Sequence, residues 1–143
     1  MKIAYLTLLA LLGGCDDSPE CLMAVEDSLT FIFKPPLSTP GTWELDLTDG
    51  YDAHCEVELS VPDSAEGIEY TACGETNRVF LDIWEDGTAI TEMIVTDSPD
   101  TVTLLASFDE TLVWEETYTP DYTVTHDCRE HRDATVYVQV PEP

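Results

Sequence analysis

Apolar and polar residues alternate with a period of two along most of this 143-residue chain, and that restricts the fold more than any other feature. Leu29, Phe31 and Phe33 alternate with Ser28, Thr30 and Ile32, and the pair Pro35-Pro36 ends that run in a loop. Trp43, Leu45 and Leu47 alternate with Thr42, Glu44 and Asp46. Cys55, Val57, Leu59 and Val61 are expected to face inward, with His54, Glu56, Glu58 and Ser60 outward. A short strand is expected from Ile68 to Cys73. Val79, Leu81 and Ile83 lead into Asp86-Gly87, the strongest hairpin signal in the chain, with Ala89 to Val95 returning. Val102, Leu104, Ala106 and Phe108 alternate with Thr101, Thr103, Leu105 and Ser107, and Leu112, Trp114 and Glu116 alternate with Thr111, Val113 and Glu115. Thr119 to Asp133 reads as irregular, and Ala134, Val136, Val138 and Val140 form a last strand. Turn signals recur roughly every 8–12 residues and no segment has helical period, so we expect an all-β antiparallel sandwich of about eight strands, Ig-like in the broad sense.

The first residues do not share this pattern. Lys2 precedes an apolar run from Ile3 to Leu12, and Gly13 and Gly14 are small residues of the kind cleaved by a signal peptidase. The run is too short to span a bilayer as a helix, which needs about 20 apolar residues. Leu12-Gly13-Gly14-Cys15 resembles the lipobox of bacterial lipoproteins. The resemblance implies a lipid on the sulfur of Cys15, cleavage before it, and anchoring to a membrane of the cell envelope outside the cytoplasm. On this reading residues 1–14 are a lipoprotein signal peptide, residues 15–20 a short acidic tether, and residues 21–143 the β-sandwich domain. Tyr118, Pro120 and Tyr122, followed by Cys128 and a Val-rich terminal strand, are similar to small Ig-like β-sandwich modules of bacterial lipoproteins. That likeness carries no activity with it.

Five cysteines are an odd number for a chain in an oxidising compartment. Assigning Cys15 to lipid leaves Cys21, Cys55, Cys73 and Cys128, for which three pairings exist. Cys55 and Cys73 fall on what read as neighbouring strands, and Cys21 and Cys128 lie near the domain ends. The expected bridges are therefore Cys55–Cys73 and Cys21–Cys128. Zinc is the competing use of such residues, but no C-x-x-C spacing is present.

Past the leader, only Lys34, Arg78, Arg129 and Arg132 oppose 30 acidic residues. Such a polyanion does not bind nucleic acid or anionic lipid head groups through charge. Calcium is the cofactor that this composition makes conceivable, through loop carboxylates such as Asp49 and Asp52, beside Asp46 on one turn, or Asp82, Glu85 and Asp86 on another. His126 and His131 are the weak candidates for a transition metal, with His54 as a third ligand from elsewhere. No reaction is legible. Ser60, Ser64, Ser98 and Ser107 lack a G-x-S-x-G context, no glycine loop cradles phosphate, and lipidated or bonded cysteines leave no free nucleophile. Trp43, Trp84 and Trp114 read as packing residues rather than a carbohydrate platform. The expectation is a non-catalytic, membrane-anchored module that contacts an envelope protein or glycan through end loops or an uncovered edge strand. The alternative is a calcium-dependent binding module.

Overall fold

A computed structural model describes residues 26–61, 73–74, 78–84, 86–126 and 129–143. Nine strands follow one another: β1 (Ser28–Leu37), β2 (Gly41–Thr48), β3 (Ala53–Leu59), β4 (Val79–Ile83), β5 (Ile90–Val95), β6 (Val102–Phe108), β7 (Thr111–Tyr118), β8 (Thr123–His126) and β9 (Glu130–Val138). They form a five-stranded sheet in the order β4-β5-β1-β9-β8 and a four-stranded sheet in the order β3-β2-β6-β7. Successive side chains of a strand point to opposite faces, so each alternating run gives one apolar face. The two apolar faces meet: Leu29, Phe31 and Phe33 from β1 and Trp43, Leu45 and Leu47 from β2 are all buried. Each such side chain removed from water contributes roughly 1.5–3 kcal/mol.

The connectivity from β1 to β7 is that of an Ig-like Greek key. The hairpins β2–β3, β4–β5 and β6–β7 alternate between the sheets, β1 lies beside β5, and β2 lies beside β6. The departure is β9, which takes the free side of β1 and runs parallel to it, pairing Leu29 with Ala134 and Phe31 with Val136. The sheets are thus antiparallel except for this pair. The reason is topological: β9 is the return arm of the β8–β9 hairpin, so it runs opposite to β8 and in the same direction as β1, on whose free side it lies.

Other local expectations are corrected. Pro35 and Pro36 do not end the first strand. They sit where the β1–β5 register shifts between Ile32 and Leu37, a stretch of the ladder that makes no demand on the missing N–H groups. Val61, expected inside, is 62% exposed, because β3 stops at Leu59. Leu112 and Trp114 do not share a face. Ala106 pairs with Trp114 and Ser107 with Leu112, so Val113 is an extra bulge residue that reverses the alternation. The stretch from Thr119 to Asp133 contains β8 and the start of β9, paired from Thr123–Asp133 to His126–Glu130. Trp84 lies just past β4 and is half exposed, whereas Trp43 is buried in the core. The expected strand from Ile68 to Cys73 lies outside the described residues apart from Cys73, which is not in a strand.

Candidate binding edge

A two-sheet sandwich has four edge strands, here β3 and β7 in one sheet and β4 and β8 in the other. An edge strand presents a row of backbone N–H and C=O groups that no neighbour satisfies. The β3/β4 side is closed. Cys55 in β3 is bonded to Cys73, with Cα atoms 4.4 Å apart, and both residues are buried. Cys73 N–H donates to Val79 O at the start of β4, and Ser60 N–H donates to Gly87 O in the β4–β5 turn. One expected bridge is therefore present, and it draws the two sheets together along this side.

The opposite side is open. β8 has four residues; β7 has eight, bonded to β6 along one flank and to none of the described residues along the other. Leu112 is 51% exposed, and Glu115 and Glu116 are exposed as well. Glu115 pairs with Leu105 on the outer face, whereas Glu116 pairs with buried Leu104 and so starts from the core-facing side at the sandwich margin. There its carboxylate accepts a hydrogen bond from the Tyr118 hydroxyl at 2.8 Å. The Tyr118 ring packs edge-on against Phe31, with centroids 5.6 Å apart. Burial pushes the Tyr118 phenol up to about 12, which keeps it a neutral donor. The Trp114 Nε1–H is buried without a hydrogen-bond partner among the described residues.

The sequence-predicted site residues are scattered around this frame. Cys15, Cys21 and Cys128 lie outside the described residues, as does Glu85. Asp49 Oδ2 accepts a hydrogen bond from Thr103 Oγ1 at 2.8 Å, Asp52 is exposed, and Asp46 Oδ1 lies 2.6 Å from His54 Nδ1. The acids of that turn are therefore directed to different partners. Asp86 accepts two hydrogen bonds from Thr88, at 3.1 and 2.6 Å. His131 pairs across the hairpin with Thr125, whereas His126 pairs with Glu130, so the two imidazoles project to opposite faces and do not form one chelate. His131 is nearly buried, with Nε2 3.2 Å from Asp133 Oδ2. Among the described residues, no three His, Cys, Asp or Glu side chains converge as metal ligands do.

Hydrogen bonding to Asp46, with further help from the charges of Asp46, Glu44 and Glu56, raises the His54 pKa above its ordinary value. This imidazole lies on the outer face of the four-stranded sheet, among carboxylates of β2 and β3. An open depression of about 420 Å³ beside it is lined by Thr42, Glu44, Glu56, Asp109 and Glu110. It lacks the apolar walls of a small-molecule site. Sequence reasoning did not single out β7. Its one local signal is the pair Glu115-Glu116 inside an otherwise apolar and aromatic run. The chain matches no family model, no curated protein and no solved structure.

Proposed function

We propose that this chain is a non-catalytic binding protein of a bacterial cell envelope, held outside the cytoplasm by lipid on Cys15. Its sandwich would contact a protein or glycan partner through the uncovered margin at β7. The observation that carries the reading is the asymmetry of the sandwich: one side is closed by a buried disulfide, and the other ends in a long strand with no described residue paired along its outer flank. Stable disulfides belong to oxidising compartments, which supports a location beyond the cytosol. The lipobox-like Leu12-Gly13-Gly14-Cys15 supports the anchor. Several acyl chains hold a protein at a membrane, whereas one gives only marginal binding. The test is Cys15→Ser in the full chain, expressed in a bacterium and fractionated. The protein is expected to move from the membrane fraction to the soluble envelope fraction. Retention in the membrane, or an intact amino-terminal Met1 on the purified wild type, would refute the anchor.

A further inference from the structure

We propose that β7 takes up an extended basic segment of a partner protein as an added antiparallel strand. This rests on the reading of the chain as a binding module and names the chemistry of its partner. An added strand satisfies the row of backbone groups along the flank of β7 that no described residue pairs, and its side chains then meet those of β7 in cross-strand pairs. Glu115 and Glu116 are adjacent and lie on opposite faces, so the partner residues facing them are also adjacent and also alternate. Two consecutive basic residues fit that geometry, one lysine or arginine to each face. Beyond them the partner meets Trp114, Val113 and Leu112, which call for apolar side chains. In an antiparallel strand the order is fixed: the basic pair comes first and the apolar residues follow.

The same charges exclude the simplest competitor, a second copy of this chain. Edge-to-edge pairing of two β7 strands would bring glutamates together, and directly opposed like charges destabilise a sheet. No lysine or arginine lies between Val102 and Tyr118 to offset them, and the whole chain carries a formal charge of −25. Acidic side chains and a bulge are common guards on edge strands. Here they guard against self-association while leaving the flank open to a basic strand. A glycan, in contrast, has no repeating amide ladder to match the exposed backbone.

The experiment uses the full chain extracted in neutral detergent, with a short terminally capped peptide, Thr-Val-Thr-Lys-Arg-Val-Leu-Val-Thr, as the probe. Binding is followed by calorimetry and by amide hydrogen exchange. The expected result is saturable binding that weakens with salt, with at least about tenfold slower exchange for outward amides of Thr111–Tyr118 and none of that slowing in β8. Glu115→Lys with Glu116→Lys is expected to weaken the probe by about tenfold or more. Glu115→Gln with Glu116→Gln serves as the milder variant should charge reversal disturb folding. A probe N-methylated at alternate residues keeps its charge and loses its ladder, and its binding should vanish. Equal binding of the methylated probe, protection elsewhere than β7, or no binding at all would overturn the added strand. None of those results touches the anchor, which Cys15→Ser tests separately.

Discussion

The two long sides of the sandwich are held in different ways. On the β3/β4 side the closure is covalent and buried: Cys55–Cys73, reinforced by backbone bonds from Cys73 to Val79 and from Ser60 to Gly87. Away from it, polar contacts join the start of β1 to β9 and to the β5–β6 turn that passes between the sheets. Asp27 accepts hydrogen bonds from Ser98 Oγ at 2.6 Å and from Arg132 N–H at 2.8 Å. Tyr122 Oη donates to Pro99 O at 2.8 Å, and the Arg132 guanidinium stacks 4.6 Å above the Tyr122 ring. A covalent tie holds one geometry permanently and shields two edges. Hydrogen bonds at one end leave the remaining margin of β7 without a paired strand among the described residues. Among the described residues, the long unpaired edge thus stands opposite the stapled one, where a partner strand can add without dismantling the core.

Removing the staple is the largest way to break this contrast. A bridge closing a loop of 18 residues restricts the unfolded chain and contributes roughly 3 kcal/mol. Cys55→Ala with Cys73→Ala should therefore lower the urea-unfolding free energy by about that amount. Hydrogen exchange should quicken in β3 and β4 well before it changes in β7. Uniform quickening across both sheets would mean that the two sides are not independently held.

Asp27 tests the polar ties next. Hydrogen bonds from the Ser98 hydroxyl and from the Arg132 N–H hold its carboxyl below the ordinary value of 3.8. Its charged form is thus bound more favourably in the folded chain than in the unfolded one. The resulting stability is present above the unfolded value and is lost as pH falls through the lowered folded one. Asp27→Asn should cost about 1 kcal/mol at neutral pH. It should also remove part of the acid-induced loss of stability below about pH 4. Unfolding measured from pH 6 down to about pH 3 gives both quantities. An unchanged acid limb would show that this carboxylate is not what ties β1 to β9 and to the β5–β6 turn.

Alternation made much of this fold legible. It placed Leu29, Phe31 and Phe33, Trp43, Leu45 and Leu47, and Val102, Leu104 and Ala106 in the core, where they are buried. What it missed has specific causes. β8 is Thr-Val-Thr-His with no buried residue, so nothing in its pattern distinguishes it from a loop. The bulge at Val113 inserts one residue, and a period-two count continued past it puts Leu112 on the wrong face. The β1–β9 pairing joins residues about a hundred positions apart and leaves no local signature. The candidate edge was hidden for the same reason. Whether a strand is an edge depends on its neighbours, and neighbours are a property of topology rather than of local sequence. The Cys55–Cys73 bridge was legible through proximity of segments, although Cys73 sits beside β4 rather than inside a strand of its own.

The smallest expected effect lies at the turn that feeds β7. Phe108 pairs with Thr111, so Asp109 and Glu110 form a two-residue hairpin loop, and both have positive φ, 44° and 65°. That is the geometry in which Asn-Gly or Asp-Gly is preferred, because a side chain in left-handed backbone is strained. Asp109 repays its strain: Thr42 N–H donates to its Oδ1 at 3.1 Å, and its own N–H donates to Thr42 O at 2.9 Å. Glu110 makes no such bond among the described residues. Glu110→Gly should therefore relieve strain without removing a contact, offset in part by the greater freedom of glycine when unfolded. The net gain should be about 0.5 kcal/mol, or roughly 2 °C in Tm. It should slow exchange in β6 and β7 while leaving β4 unchanged, since the turn joins β6 to β7 and bonds to Thr42 of β2, all in the four-stranded sheet. A fall in Tm instead would mean that the Glu110 carboxylate contributes more to this corner than its backbone costs, and that the acidic margin of β7 begins one turn earlier than Glu115.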